Sequence, residues 1–140
     1  ELDMMALPPC HMDYRFVAFE NPRVLNLVMT IRSWDLFLGA PANIAATSIF
    51  LAIMARLAGF EPGVVTIQAT NAHIYEDDFD QVRELLAREH LDAPKLILSD
   101  NIKRIERLED VAGAFTRIEP TDITLEGYES HAAIKAPMAA

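Results

Sequence analysis

A single cysteine stands in 140 residues, so neither an intrachain disulfide nor a thiolate metal cage can be built, and a reducing compartment is the expected setting. Basic residues are scarce as well. Twelve Lys and Arg face 21 Asp and Glu, a formal charge of −9. A nucleic-acid groove needs clustered cations to neutralise phosphates, so long polyanions are excluded as partners. A small phosphorylated ligand is not excluded, because its site needs only a few local donors. The four histidines, His11, His73, His90 and His131, lack zinc-ligand spacing, and no HExxH pair occurs, so no metal is assigned. Near Glu1 there is no basic stretch followed by an apolar run and a small-residue cleavage site. No internal repeat or low-complexity linker stands out.

What is present is apolar: 51% of the residues, enough to build the core of one compact domain and to exclude disorder as the default. One run, Leu36 to Ala55, has no charge between Asp35 and Arg56 and passes a naive membrane window. Gly39, Pro41 and Asn43 are expected to break its first third, leaving Ile44 to Leu57 as a helix too short to span hydrocarbon. The reading is therefore a core helix buried on most sides, with no membrane partner.

Around that helix the patterning predicts a mixed order of elements. Tyr14 to Phe19 and Val24 to Ile31 read as a hairpin about Glu20-Asn21-Pro22-Arg23. The helix follows Asn43 and ends at Gly59. Val64 to Ala69 reads as a strand and Glu76 to Glu89 as an amphipathic helix with Phe79, Val82, Leu85 and Leu86 on one face. Lys95 to Leu98 and Ile123 to Leu125 read as short strands flanking an irregular or helical insertion, Ser99 to Pro120. The final Ala132 to Ala140 is expected to be mobile unless something holds it. The sum is an α/β, or α+β layered, domain.

Five groups of residues could carry chemistry. Cys10 follows two prolines that preset extended backbone; it is either an inert hydrophobe or a nucleophile whose thiolate needs cationic neighbours, with Arg32, Arg15 and His11 the candidates. Arg32 and Ser33 at a strand end place a planar fork beside a hydroxyl, either a solvated pair or a seat for a phosphate monoester. Asp35 is either a loop carboxylate or a group that orients its neighbours. Asn43 is either a helix N-cap or a donor-and-acceptor match for a uracil edge. His73 and Tyr75, two apart on extended backbone, share one face and are either satisfied internally or paired on a sugar hydroxyl.

Four segments keep an order that resembles the C-terminal half of the thymidylate synthase family: ALPPCH at residues 6–11, RSWDLFLGAPANIA at 32–45, NAHIYEDDFDQV at 71–82 and LEGYESHAAIKAPMAA at 125–140. The resemblance implies that residues 1–140 are the C-terminal part of one catalytic domain. The implied fold is that family's, a mixed β-sheet packed against a long buried helix, assembled back to back through β-sheets as a cytoplasmic homodimer. It further implies that Cys10 adds to C6 of a deoxyuridylate ring, that Arg32 and Ser33 hold its phosphate, that Asn43 reads the base, and that His73 and Tyr75 hold the 3′-hydroxyl. Asp35 matches an acid near the folate ring, and the tail ending at Ala140 matches a segment that closes over ligands. The implied co-substrate is 5,10-methylenetetrahydrofolate, with no metal.

Three positions depart from the usual pattern: Arg15 for glutamine, Ala42 for phenylalanine and Asn71 for aspartate. Arg15 would either add positive charge beside Cys10 and the phosphate or point to solvent. Asn71 and the Tyr128–His131 wording resemble deoxypyrimidine nucleotide hydroxymethylases, which finish with water where the synthase uses hydride. Retention of Asn43, where deoxycytidylate enzymes resemble one another in using aspartate, favours uracil. A non-catalytic remnant of the family is the further alternative.

Overall fold

The structure, a computed structural model, describes residues 8–136. Two strands, β1 (His11–Glu20) and β2 (Arg23–Ile31), pair antiparallel from Glu20↔Arg23 at the tip, with the register shifting between His11 and Asp13 near the open end. The expected hairpin is present, with β1 starting three residues earlier than its β-branched and aromatic run. On β2 burial alternates with period two: Leu25, Leu27, Met29 and Ile31 are buried, and Val24, Asn26, Val28 and Thr30 are half-buried on the other face.

The helix α1 (Ala40–Ala58) leads into β4 (Glu61–Ala69), which lies parallel to β2 and completes a three-stranded sheet in the order β1-β2-β4. Between β2 and α1 lies the two-residue strand β3 (Trp34–Asp35), paired in parallel with β5 (Ala72–His73). Beyond β5 a 3-10 turn (Glu76–Asp78) opens α2 (Phe79–Ala87), shorter than expected because Arg88 turns to extended backbone. A second antiparallel pair joins β6 (Lys95–Leu98) to β7 (Ile123–Glu126), and α3 (Val111–Thr116) lies in the insertion between them.

The helix corrects two expectations. It starts at Ala40, not after Asn43, because Pro41 falls in the first turn, where a missing N–H costs nothing and the fixed φ suits the helix. Asn43 is one turn inside, its backbone N–H donating to Gly39 O at 3.0 Å, so it is not the cap. The helix is thus 19 residues long and apolar enough to cross a membrane by length and composition, so shortness does not argue against a span. Nor is it buried on most sides: only Ala40, Thr47, Leu51, Ala55 and Leu57 are fully buried. At its far end Gly59, at φ +73°, closes a Schellman motif, with Phe60 N–H to Ala55 O at 2.8 Å and Gly59 N–H to Arg56 O at 3.3 Å.

That buried stripe serves two cores. Leu51 and Ala55 pack on Leu25 and Leu27, with Phe16 and Phe50 meeting edge to face at 5.5 Å. Leu57 packs with Ile102 and Ala114 under the 99–123 segment. This segment is tied by Asp122, whose carboxylate accepts from Ser99 Oγ, from Asn101 Nδ2 at 3.0 Å and from Glu119 N–H at 2.9 Å. These bonds, the Ser99 hydroxyl first, hold the Asp122 carboxyl below its ordinary pKa. The start of the C-terminal stretch is held: Arg88 Nη1 donates to Ala132 O at 2.7 Å, and His131 Nε2 lies 2.9 Å from Glu89 O.

Candidate active site

The first turn of α1, the β3 strand and the entry to β1 converge on a cavity of about 400 Å³. Its walls are Pro9, Cys10, His11, Ile31, Ser33, Trp34, Asp35, Gly39 and Asn43. The chain order explains the convergence. Arg32 N–H donates to Cys10 O at 2.9 Å, extending the β1–β2 ladder so that Cys10 and Ser33 lie at the same end of the sheet. Trp34 N–H then donates to Asn71 O at 2.8 Å and Leu36 N–H to His73 O at 2.9 Å, which brings the second motif beside the third.

Cys10 is a free thiol, half-buried in this wall. The prolines before it are fixed from outside the cavity by Arg32, which donates through Nε to Pro9 O at 3.0 Å and through Nη2 to Pro8 O at 2.8 Å. Arg32 is exposed and does not line the cavity, and its Nη1 makes no hydrogen bond among the described residues. Ser33 does line it. His11 also faces the cavity, with Nδ1 at 2.9 Å from Tyr14 Oη.

Asp35 holds the turn that precedes α1 by accepting backbone N–H bonds at one oxygen, Oδ1, from Phe37 at 2.9 Å and Leu38 at 3.3 Å. This is the local turn chemistry that aspartate favours. Asn43 sits opposite, with Oδ1 accepting from Trp34 Nε1 at 3.2 Å. His73 lies across the β3–β5 ladder from Asp35 and meets Tyr75 edge to face at 5.0 Å. The His73 Nδ1 is 3.3 Å from Asn71 O, a carbonyl that only accepts, so in this contact Nδ1 is the donor.

Arg15 goes elsewhere. Its guanidinium bonds Asp13 Oδ1, Thr30 Oγ1 and Gln68 Oε1, each at 2.9 Å, on the outer face of the sheet, and it is not among the cavity's lining residues. The alternation of β1 decides this: Tyr14 and Phe16 oppose Met29 and Leu27 on the core face, so Arg15, opposite Val28, must face outward. The expectation that Arg15 supports Cys10 is therefore not met within this chain. Ala140 lies outside the described residues.

Sequence reasoning passed over Trp34, the sole tryptophan of the chain, although its place between Ser33 and Asp35 signalled it. It read Arg32 as a phosphate contact or a cationic neighbour of the thiolate, and did not foresee its hydrogen bonds to the proline backbone before Cys10. A second, wider groove of about 630 Å³ runs between Phe37, Leu38 and Pro41 on one side and Glu129 to Ile134 on the other. Among the described residues no group of three or more His, Cys, Asp or Glu is placed to hold a metal ion.

Comparison with known proteins gives one answer. A family model described as thymidylate synthase matches residues 1–140. The chain is 42% identical over 140 residues to the thymidylate synthase of Pseudomonas putida, covering 99% of this chain and 43% of the relative. It is 40% identical over 139 residues to that of Mycoplasma mobile, covering 99% and 44%. The crystal structure of thymidylate synthase from T4 phage superposes with a TM-score of 0.84 at 35% identity, covering all of this chain and 49% of that one. The chain thus spans less than half the length of the curated relatives it matches.

Proposed function

This chain belongs to the thymidylate synthase family, and on that premise we propose that it forms the C-terminal part of a domain that converts deoxyuridylate to thymidylate. The observation that carries the reading is one cavity walled by Cys10, Ser33, Asp35 and Asn43, contributed by two of the four motif segments.

Carbon 5 of uracil is a poor nucleophile. Attack of the Cys10 thiolate on C6 forms a C–S bond and pushes the ring electrons toward C5 and O4, which activates C5. Asn43 Nδ2 supplies a preorganised donor for O4, where that charge collects, and it acts most strongly with water excluded. Ser33 and the free Nη1 of Arg32 suit the phosphate. His73 Nε2 and the Tyr75 hydroxyl suit the sugar hydroxyl, one accepting and the other donating. The co-substrate 5,10-methylenetetrahydrofolate supplies the one-carbon unit and the hydride. The apolar groove along Phe37, Leu38 and Pro41 suits its aromatic portion, and Asp35, two residues before Phe37, lines the Cys10 cavity. Carbon 5 bonds the one-carbon unit; loss of the C5 proton then breaks the bond from that carbon to the folate nitrogen and leaves an exocyclic methylene. Hydride passing from the released tetrahydrofolate to the methylene gives the methyl group and dihydrofolate while the C–S bond breaks, freeing Cys10 and restoring the ring.

Val17, Phe19 and Val64 are exposed on the outer sheet face at 44%, 50% and 63%, which favours a homodimer joined through it. A free Cys10 needs a reducing compartment, which favours the cytoplasm.

The test uses the full-length protein with methylenetetrahydrofolate and deoxyuridylate tritiated at C5. Release of tritium with equimolar dihydrofolate is expected, and Cys10→Ser abolishes both while nucleotide binding persists. Turnover unchanged by Cys10→Ser overturns the covalent step. Tetrahydrofolate in place of dihydrofolate overturns methyl formation in favour of hydroxymethyl transfer.

A further inference from the structure

Trp34 and Asn43 share the wall of the 400 Å³ cavity, and among the described residues the one hydrogen bond of the Asn43 side chain is that accepted from the indole at 3.2 Å. An indole N–H can only donate, so the amide atom that faces it is the oxygen. The position of that oxygen has a second marker: a Cβ placed on Gly39 would lie 3.5 Å from Asn43 Oδ1 and 3.1 Å from Asp35 O. The oxygen is thus lodged between the indole and the glycine at the head of α1. The amide nitrogen, on the opposite branch, carries the unclaimed donors.

From this we propose that Trp34 is a positioning residue that locks the Asn43 amide in one of its two orientations and so sets which pyrimidine the site accepts. The inference rests on the proposed reading of Asn43 as the base-recognising group and goes beyond it in naming what fixes its direction. In the locked orientation Nδ2 donates to a carbonyl at ring position 4. The second lone pair of Oδ1 stays available for the adjacent N3–H, so a uracil edge is matched. A cytosine edge needs the reverse: its 4-amino group donates and its N3 accepts. Asn43 could meet it only by turning its amide over. That turn would set the Nδ2 hydrogens against the Trp34 N–H, donor against donor, and leave both unsatisfied in a partly buried wall. Asparagine alone is tolerant of either edge; asparagine with a fixed donor behind its oxygen is not.

The decisive substitution is Trp34→Phe in the full-length protein, which keeps an aromatic wall and removes the N–H. Its kcat/KM for dUMP is expected to fall by less than about fivefold, while the preference for dUMP over dCMP narrows by roughly five- to fiftyfold, chiefly through gained dCMP binding. In an Asn43→Ala background the same substitution should change that ratio by less than about twofold, whereas a wall that merely shapes the cavity would act alike in both backgrounds. The wild-type protein offers a readout that needs no variant. Solvent exchange of the Trp34 indole N–H, followed by NMR, is expected to be slowed before nucleotide is added and slowed further by dUMP. Exchange at the rate of a free indole, or an unchanged base preference in an active Trp34→Phe enzyme, overturns the inference. A wild-type protein that neither binds nor converts dUMP overturns the functional proposal instead, so the two failures are distinct.

Discussion

Arg32 Nε lies 3.0 Å from the carbonyl oxygen of Pro9, so the arginine at the end of β2 grips the backbone immediately before Cys10. A strand-end arginine that also presents Nη1 outward links the placement of the sulfur to whatever anion meets the guanidinium. Lysine has one nitrogen and no fork and cannot make both proline contacts with the same geometry. Arg32→Lys is therefore expected to lower kcat/KM for dUMP about ten- to hundredfold and to change the rate of thiol labelling at Cys10, read against a Cys10→Ser control. Labelling at the wild-type rate would show that the contact does not govern the loop.

Asp122 makes a prediction about acid. Its carboxyl titrates below the ordinary 3.8 in the folded chain because Ser99, Glu119 and Asn101 donate to the ionised form. Stability from this group is fully present above the unfolded-state pKa and is lost as pH falls through the lower folded value. Asp122→Asn should therefore destabilise the protein at neutral pH, and the difference between variant and wild type should shrink as pH is lowered below about 4, measured by urea unfolding. A difference constant from pH 7 to pH 3 would refute the assignment.

Gly59 ends α1 at φ +73°, a conformation that costs an L-residue roughly 1–2 kcal/mol. A Cβ there would also press on the Arg104 side chain. Gly59→Ala should lower the thermal midpoint by several degrees, whereas Gly113→Ala, in α3 and with nothing within 4 Å of the added carbon, should leave it unchanged or raise it.

The outer face of the β1-β2-β4 sheet bears on assembly. Val17→Asp puts a charge on this face beside Asn26 without touching the core side, so the fold should persist while the proposed dimer weakens by at least tenfold in analytical ultracentrifugation. An unshifted sedimentation profile would argue that this face is not the contact.

Much of this architecture was legible because each signal was local and strong. The β-branched, aromatic and aliphatic runs Tyr14 to Phe19 and Val24 to Ile31, with turn chemistry at Glu20 to Arg23, announced the hairpin, and Gly59 announced the helix end. The helix start was misread because proline was treated as a breaker at a position where the first turn welcomes it. Its burial was misjudged because an apolar run says what could be covered, not what is. The candidate site was legible as a set of residue types, and the cavity gathers Cys10, Ser33, Asp35 and Asn43. Orientation was not. Whether Arg15 turns toward the sulfur depends on its parity in β1, and the partnership of Trp34 with Asn43 spans a loop and a helix turn that no linear pattern encodes.

The strand carrying Trp34 and Asp35 is only two residues long, and its register with Ala72 and His73 admits no slack. Deleting or adding one residue between Ile31 and Trp34 would exchange the inward and outward side chains of that strand and turn the indole away from the amide it faces. Natural length variation should accordingly gather at the hairpin tip and in the 99–120 excursion, while the stretch that joins the large sheet to the long helix keeps a constant count.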